Sequence, residues 1–186
     1  MKKLAILASG NGSNFEAIVK HLKDSVAIRL ITDNSRANVV NRATRLKIPY
    51  TVIDRAFFAT KKEFNHSLFC TLKNFSPNLI ALAGYMRILP ADITNHFKNM
   101  IINIHPSLLP AFKGRNAIKQ AFEYGVKYTG ITIHYVNEEI DAGKIIEQKI
   151  IEISSRESIE SLENRIHEIE HSTYPMIIEK ILKEER

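Results

Sequence analysis

The segment Ile101-Ile102-Asn103-Ile104-His105 stops at Pro106. An apolar run carrying an amide and an imidazole two residues apart reads as a strand with both polar groups on one face. Burying both without partners is costly. They are either satisfied core groups, or a strand edge, or a pair that binds and polarises a carbonyl oxygen. The last reading rests on the fact that negative charge developing on oxygen is best met by preplaced donors. A charged imidazole also needs a carboxylate nearby. Asp141, in the loop Asp141-Ala142-Gly143, is preferred for that role. Glu138 and Glu139 have longer, more mobile side chains and stay open as alternatives, as does Asp141 as a plain turn residue.

A second chemical segment is Gly10-Asn11-Gly12-Ser13-Asn14. Glycines let the backbone approach an anion, and a helix starting near Ser13 points its N–H groups at it. The alternative is an ordinary tight turn into a helix. A dinucleotide fingerprint fails because Phe15 stands at its third glycine. Asp33 does stand where a ribose-binding acid would, which keeps a nicotinamide-dependent dehydrogenase as a rival. The P-loop lysine is absent, so a single phosphate fits better than a pyrophosphate.

Nucleophilic catalysis has little support. Ser107 lies in no Gly-x-Ser-x-Gly elbow, and Cys70, inside an amphipathic stretch, reads as a small packing residue. His167 and His171 stand one helical turn apart near Glu170. A metal there is outweighed by a polar helix face, so no metal is expected.

These residues need a scaffold, and short apolar runs alternating with amphipathic stretches predict one. The expected class is α/β, a Rossmann-like, open, mostly parallel twisted sheet with helices on both faces. Strands are expected at Leu4–Ala8, Val26–Ile31, Pro49–Ile53, Leu79–Ala83 and Ile101–His105. Gly130–Val136 and Lys144–Ile153 are both β-rich and predict an antiparallel pair. Ser13/Glu16 and Thr60/Glu63 both have capping-box spacing. Helices are expected over 36–46, after Pro90 and over 116–124, and a late helix should be kinked or restarted by Pro175. In such sheets ligands bind beyond the carboxyl ends of the strands.

The chain has 186 residues, 45% apolar and 25% charged, which predicts one domain over 1–186 rather than a disordered chain. The single cysteine excludes an intrachain disulfide and fits a cytoplasmic protein. Two lysines before an apolar run resemble a signal peptide, but the run ends at Gly10. No run is long enough to span a membrane. The net charge of +6 comes from basic residues spread along the chain, so it argues for a basic surface or a small anionic ligand rather than nucleic acid.

Three blocks, Ser9-Gly10-Asn11-Gly12-Ser13-Asn14-Phe15, Leu82-Ala83-Gly84-Tyr85-Met86-Arg87-Ile88-Leu89 and Asn103-Ile104-His105-Pro106-Ser107-Leu108-Leu109-Pro110, together resemble the phosphoribosylglycinamide formyltransferase family. Gly130-Ile131-Thr132-Ile133-His134, Asp141-Ala142-Gly143 and Glu170-His171-Ser172-Thr173-Tyr174-Pro175 follow in the matching order, so the likeness covers nearly the whole chain. The third block is shared with folate-dependent hydrolases, and the glycine loop narrows the match.

The resemblance implies formyl transfer from 10-formyltetrahydrofolate to the amine of 5-phosphoribosylglycinamide, in purine synthesis. By that likeness Asn103 and His105 polarise the formyl oxygen, His105 gives the proton, and Asp141 keeps His105 charged. Gly12, Ser13 and Asn14 would hold the phosphate, and Glu170 the ribose. Met86, Arg87, Ile88 and Leu89 would line the folate site with Asn103. Lys61 stands where the family often has arginine, keeping the charge without the bidentate fork. The implied partners are these small molecules, and the chain is expected to be a monomer or weak homodimer. Formyltetrahydrofolate deformylase is the nearest rival. It usually carries an additional N-terminal domain, and methionyl-tRNA formyltransferase a C-terminal one.

Overall fold

In the computed structural model, which describes residues 1–184, the first apolar run forms strand β1, Lys2–Leu7. It is followed by α1 (Ser13–Leu22), β2 (Val26–Thr32), α2 (Asn38–Arg45) and β3 (Tyr50–Val52). A 3₁₀ turn at Arg55–Phe57 precedes α3 (Lys61–Phe75), β4 (Leu79–Leu82), α4 (Ala91–His96) and β5 (Ile101–His105). Then come α5 (Ala117–Tyr124), β6 (Tyr128–Tyr135), β7 (Ile145–Glu152) and α6 (Ile159–Glu184).

The strands form one sheet in the order β3-β2-β1-β4-β5-β6-β7. The first five run parallel, and β5-β6 and β6-β7 pair antiparallel. The expected hairpin is therefore present. Leu4, Ile6 and Ala8 face a core shared with α1, α2, α5 and α6. Ala5 and Leu7 face the other core, under α3 and α4. Burial on both faces is why Leu4–Leu7 of β1 and the whole of β4 are continuously apolar. The direction of winding reverses between β1 and β4, so their carboxyl ends open a crevice.

Local expectations fared unevenly. Thr60 and Glu63 do form a reciprocal capping box at α3. Ser13 and Glu16 do not. Gly12 caps α1 in the left-handed region (φ 77°) without any side-chain bond, and Ser13 is already helical. Glu16 turns instead to Lys20, Arg42 and Arg45, because three cations outbid one backbone N–H. Pro175 does not restart a helix, since α6 runs unbroken from Ile159 to Glu184 with the proline inside it. Tyr174 anchors that turn by donating its hydroxyl to the carbonyls of Leu82 and Ile102, and Ile178, Ile181 and Leu182 are buried beside it. This packing outweighs the hydrogen bond that proline cannot make. Cys70 is half-buried with its Sγ 3.5 Å from His66 Nε2, outside both cores.

Candidate active site

The end of β5 meets the antiparallel hairpin, and four polar side chains meet there. Residue 103 pairs with 134 and residue 105 with 132 across β5 and β6. Asn103 Nδ2 is therefore 3.3 Å from His134 Nε2. Asp141, at the turn between β6 and β7, reaches both histidines. Its Oδ2 lies 3.4 Å from His105 Nδ1 and its Oδ1 3.6 Å from His134 Nε2. The Gly114 N–H donates to Asp141 Oδ2 at 2.8 Å. His105, His134 and Asp141 have side chains only 6%, 2% and 11% exposed, so these charges act with little solvent screening.

Burial pushes the Asp141 carboxyl up. The hydrogen bond from His134, the Gly114 N–H and the charges of His105 and His134 outweigh it and hold the group below the usual carboxylate range. Asp141 is thus ionised at neutral pH. Glu138 is engaged elsewhere, accepting from Asn95 Nδ2 at 2.9 Å, and Glu139 is exposed. The choice among the three acids is decided by the fold.

His134 is the site residue that sequence reasoning passed over. Its Nδ1–H donates to the Tyr135 carbonyl at 2.8 Å, which leaves Nε2 between Asn103 and Asp141. The neutral ring accepts there from the Asn103 amide, and the charged ring aims a proton at Asp141. The available signal was an imidazole ending an apolar alternation, Ile131-Thr132-Ile133-His134. Only the strand register shows what it opposes. Thr132, another buried polar residue of β6, donates to the Ser107 carbonyl at 2.7 Å and accepts from the Leu109 N–H at 3.0 Å. Ser107 is thereby part of the loop's anchor, with its hydroxyl given to the Ala111 carbonyl.

The β1 loop lies on the far side of the crevice. Ser9 N–H donates to the Gly84 carbonyl and Met86 N–H to Ser9 Oγ, tying the loops after β1 and β4 together. Gly12 admits no side chain, because a Cβ would sit 2.5 Å from Val39 Cγ2. Asn14 Nδ2 donates to Glu170 Oε2 at 2.9 Å, across 156 positions of sequence. Asn14 Oδ1 is buried without a partner among the described residues. His167 Nδ1 also bonds Glu170 Oε2, and its ring stacks on His171. These histidines belong to the wall of the Glu170 site. Arg42 fixes the loop from behind, donating to the Asn11 carbonyl at 2.8 Å and to Asn11 Oδ1 at 3.1 Å.

The Lys20 hydrogen bond leads the causes that hold the Glu16 carboxyl down to about 2; burial opposes it, and bonds and charge from Arg42, Lys20 and Arg45 assist. A depressed carboxylate contributes stability that is present above its ordinary value near 4.5 and lost as pH falls toward 2. Glu16→Gln should therefore lower the thermal midpoint at pH 7 and flatten its fall between pH 5 and about 2. Melting curves at several pH values check this, and parallel wild-type and variant profiles would contradict it.

Between α3 and the loop after β4 is a cleft of about 260 Å³. Lys61, Met86, Arg87 and Ile88 line it with Arg55 and Arg115. Leu89 does not, being buried in the core under α3 and α4. Arg87 is ion-paired with Asp33 and lies over the Phe64 ring. Asp33 is only 5% exposed, so the acid that suggested a dinucleotide ribose is already committed to Arg87.

A model described as formyl transferase matches residues 2–178. The chain belongs to the formyl transferase family. It is 47% identical to the phosphoribosylglycinamide formyltransferase of Bacillus subtilis (strain 168), over 98% of this chain and 95% of that one. Among solved structures it resembles glycinamide ribonucleotide transformylase 1 from Geobacillus kaustophilus, with TM-score 0.93 and 42% identity over 98% of this chain and 99% of that one. The Streptococcus pneumoniae TIGR4 phosphoribosylglycinamide formyltransferase gives TM-score 0.92 at 34% identity, covering 97% and 99%. No helix among the described residues is long and apolar enough to cross a membrane.

Proposed function

We infer that this chain transfers a formyl group from 10-formyltetrahydrofolate to the amine of 5-phosphoribosylglycinamide. The observation that carries the reading is the convergence of Asn103, His105 and Asp141 at the end of β5. Formyl transfer makes one C–N bond and breaks another at a carbon whose oxygen gathers negative charge. Asn103 Nδ2 and His105 Nε2 are the donors for that oxygen. His105 Nε2 at present faces the Phe112 carbonyl at 2.8 Å, so that carbonyl must give way as the substrate oxygen arrives. Both ring nitrogens then face oxygen, Asp141 on one side and the formyl group on the other. The proton lost by the attacking amine passes to the departing nitrogen, with His105 and Asp141 holding the site's positive charge in place.

The flanking sites fit the two substrates. The uncapped start of α1 offers its N–H groups to a phosphate at Gly12, Ser13 and Asn14. Glu170, 4% exposed, is a strong acceptor for ribose hydroxyls. The cleft at Lys61, Met86, Arg87 and Ile88 combines apolar side chains with cations, suited to an aromatic body bearing a carboxylate tail. Lysine at position 61 supplies charge without a fork. The reaction fits a cytoplasmic protein whose ligands are small molecules, working without a metal.

Loss of formyl donor followed by absorbance, with and without the ribonucleotide, tests the reading. Turnover that requires the amine is expected. Equal turnover without it would instead make the chain a deformylase.

A further inference from the structure

Strand β7 is an edge of the sheet, and its sequence is self-complementary. Reversed about Gln148, the run Lys144-Ile145-Ile146-Glu147-Gln148-Lys149-Ile150-Ile151-Glu152 sets every charge on its opposite and every isoleucine on an isoleucine. The backbone allows that reversal. Ile153 N–H donates to the Lys127 carbonyl and Tyr135 N–H to the Lys144 carbonyl, one at each end of the β6-β7 ladder. Bonded pairs alternate along an antiparallel ladder. Glu147, Lys149 and Ile151 therefore bond to β6, opposite Ile133, Ile131 and Thr129. Gln148, Ile150 and Glu152 turn their N–H and C=O groups out of the sheet. Among the described residues only the Glu152 carbonyl is met there, by the Arg165 guanidinium at 3.0 Å. Ile150 is 70% exposed at the middle of this edge.

A second β7 laid antiparallel must set even positions against even ones, so that outward groups meet outward groups. With Gln148 opposite itself, Glu147 faces Lys149 of the other copy and Lys149 faces its Glu147. Sliding two residues either way sets Glu147 on Glu147 or Lys149 on Lys149, and like charges directly opposite are destabilising. One register is thus selected. A lysine by itself guards an edge against any strand. Here Glu147, on the same face and 3.2 Å from Lys149, offsets that charge for a strand presenting the reverse order. The bulge opposite His134 leaves the ladder regular from Glu147 to Glu152, which contains the centre of the match. We propose that β7 is a docking edge for a second copy of this chain, pairing antiparallel about Gln148 to join two seven-stranded sheets into one.

Sedimentation equilibrium should show wild type in a reversible monomer–dimer exchange, because one pair of eight-residue strands buries less than the roughly 1,200 Å² of a stable interface. Raised salt should weaken the dimer. Glu147→Lys and Lys149→Glu each set like charges opposite one another at both symmetry-related places. Either should raise the dimer dissociation constant roughly 5- to 10³-fold. The double variant, with both charges exchanged, should dimerise like wild type. Mixing the two single variants should give a heterodimer, since each supplies the charges the other lacks. Ile150→Pro removes an outward N–H and no bond to β6. It should abolish the dimer yet melt with wild type at dilutions where both are monomers. Wild type that stays monomeric at every concentration, a dimer untouched by the single reversals and by the proline, or single variants that fail to pair when mixed would overturn the proposal.

Discussion

Replacing Asp141 with Asn should lower kcat/KM at neutral pH by roughly 10²- to 10⁴-fold, the span ascribed to a positioned proton-transfer group. The carboxylate lies 3.4 Å from His105 Nδ1 and is ionised at neutral pH, so it favours the charged imidazole. Without it the His105 ring loses its anionic partner, and the pH profile of the residual rate should move. In wild type the same support fails only when pH falls far enough to protonate the depressed Asp141 carboxyl. His105→Asn should lose activity while still binding the donor, whose cleft at Met86, Arg87 and Ile88 is intact. The double variant should be little worse than the worse single one, as for residues acting on one proton. The measurement is kcat/KM against pH for the three variants. Losses that multiply, with an unmoved pH profile in Asp141→Asn, would reduce Asp141 to a turn residue.

The second large effect is expected at the phosphate loop. Ser13 is the first residue of α1, directly after the left-handed Gly12. An aspartate in a helix's first turn is normally favourable by about 0.3–1 kcal/mol. Ser13→Asp should therefore melt at the same temperature as wild type or slightly higher. Toward a bound phosphate the same charge is repulsive. A unit pair at 4 Å costs about 1 kcal/mol in water and about 4 kcal/mol near a protein surface. KM for the ribonucleotide should rise roughly 5- to 10³-fold, with little change in KM for the donor. A stable protein with unchanged ribonucleotide KM would remove the phosphate from this loop.

Much of this architecture was written in local pattern. Continuous apolar runs at Leu4–Ala8 and Leu79–Ala83 specify strands buried on both faces, and Thr60 with Glu63 specifies a helix start. The alternation of strands and helices fixes a mostly parallel sheet, and thereby the edge where ligands bind. Even the shared face of Asn103 and His105 follows from the two-residue period of a strand. These features depend on neighbours a few positions apart, which a sequence displays directly.

What the tertiary structure alone decided are the contacts that close over long stretches of chain. The register of β6 on β5 brings His134 to Asn103, and the turn geometry selects Asp141 over Glu138. Packing of α2 against α1 draws Glu16 to Arg42 and Arg45 and leaves the start of α1 uncapped. The fold also commits Asp33 to Arg87, Leu89 to the core and Asn14 to Glu170. Each partner is tens of residues away, and which charge or amide it meets depends on how layers pack rather than on any local preference. Short-range propensity therefore places the elements, and long-range packing chooses which of their polar groups face one another.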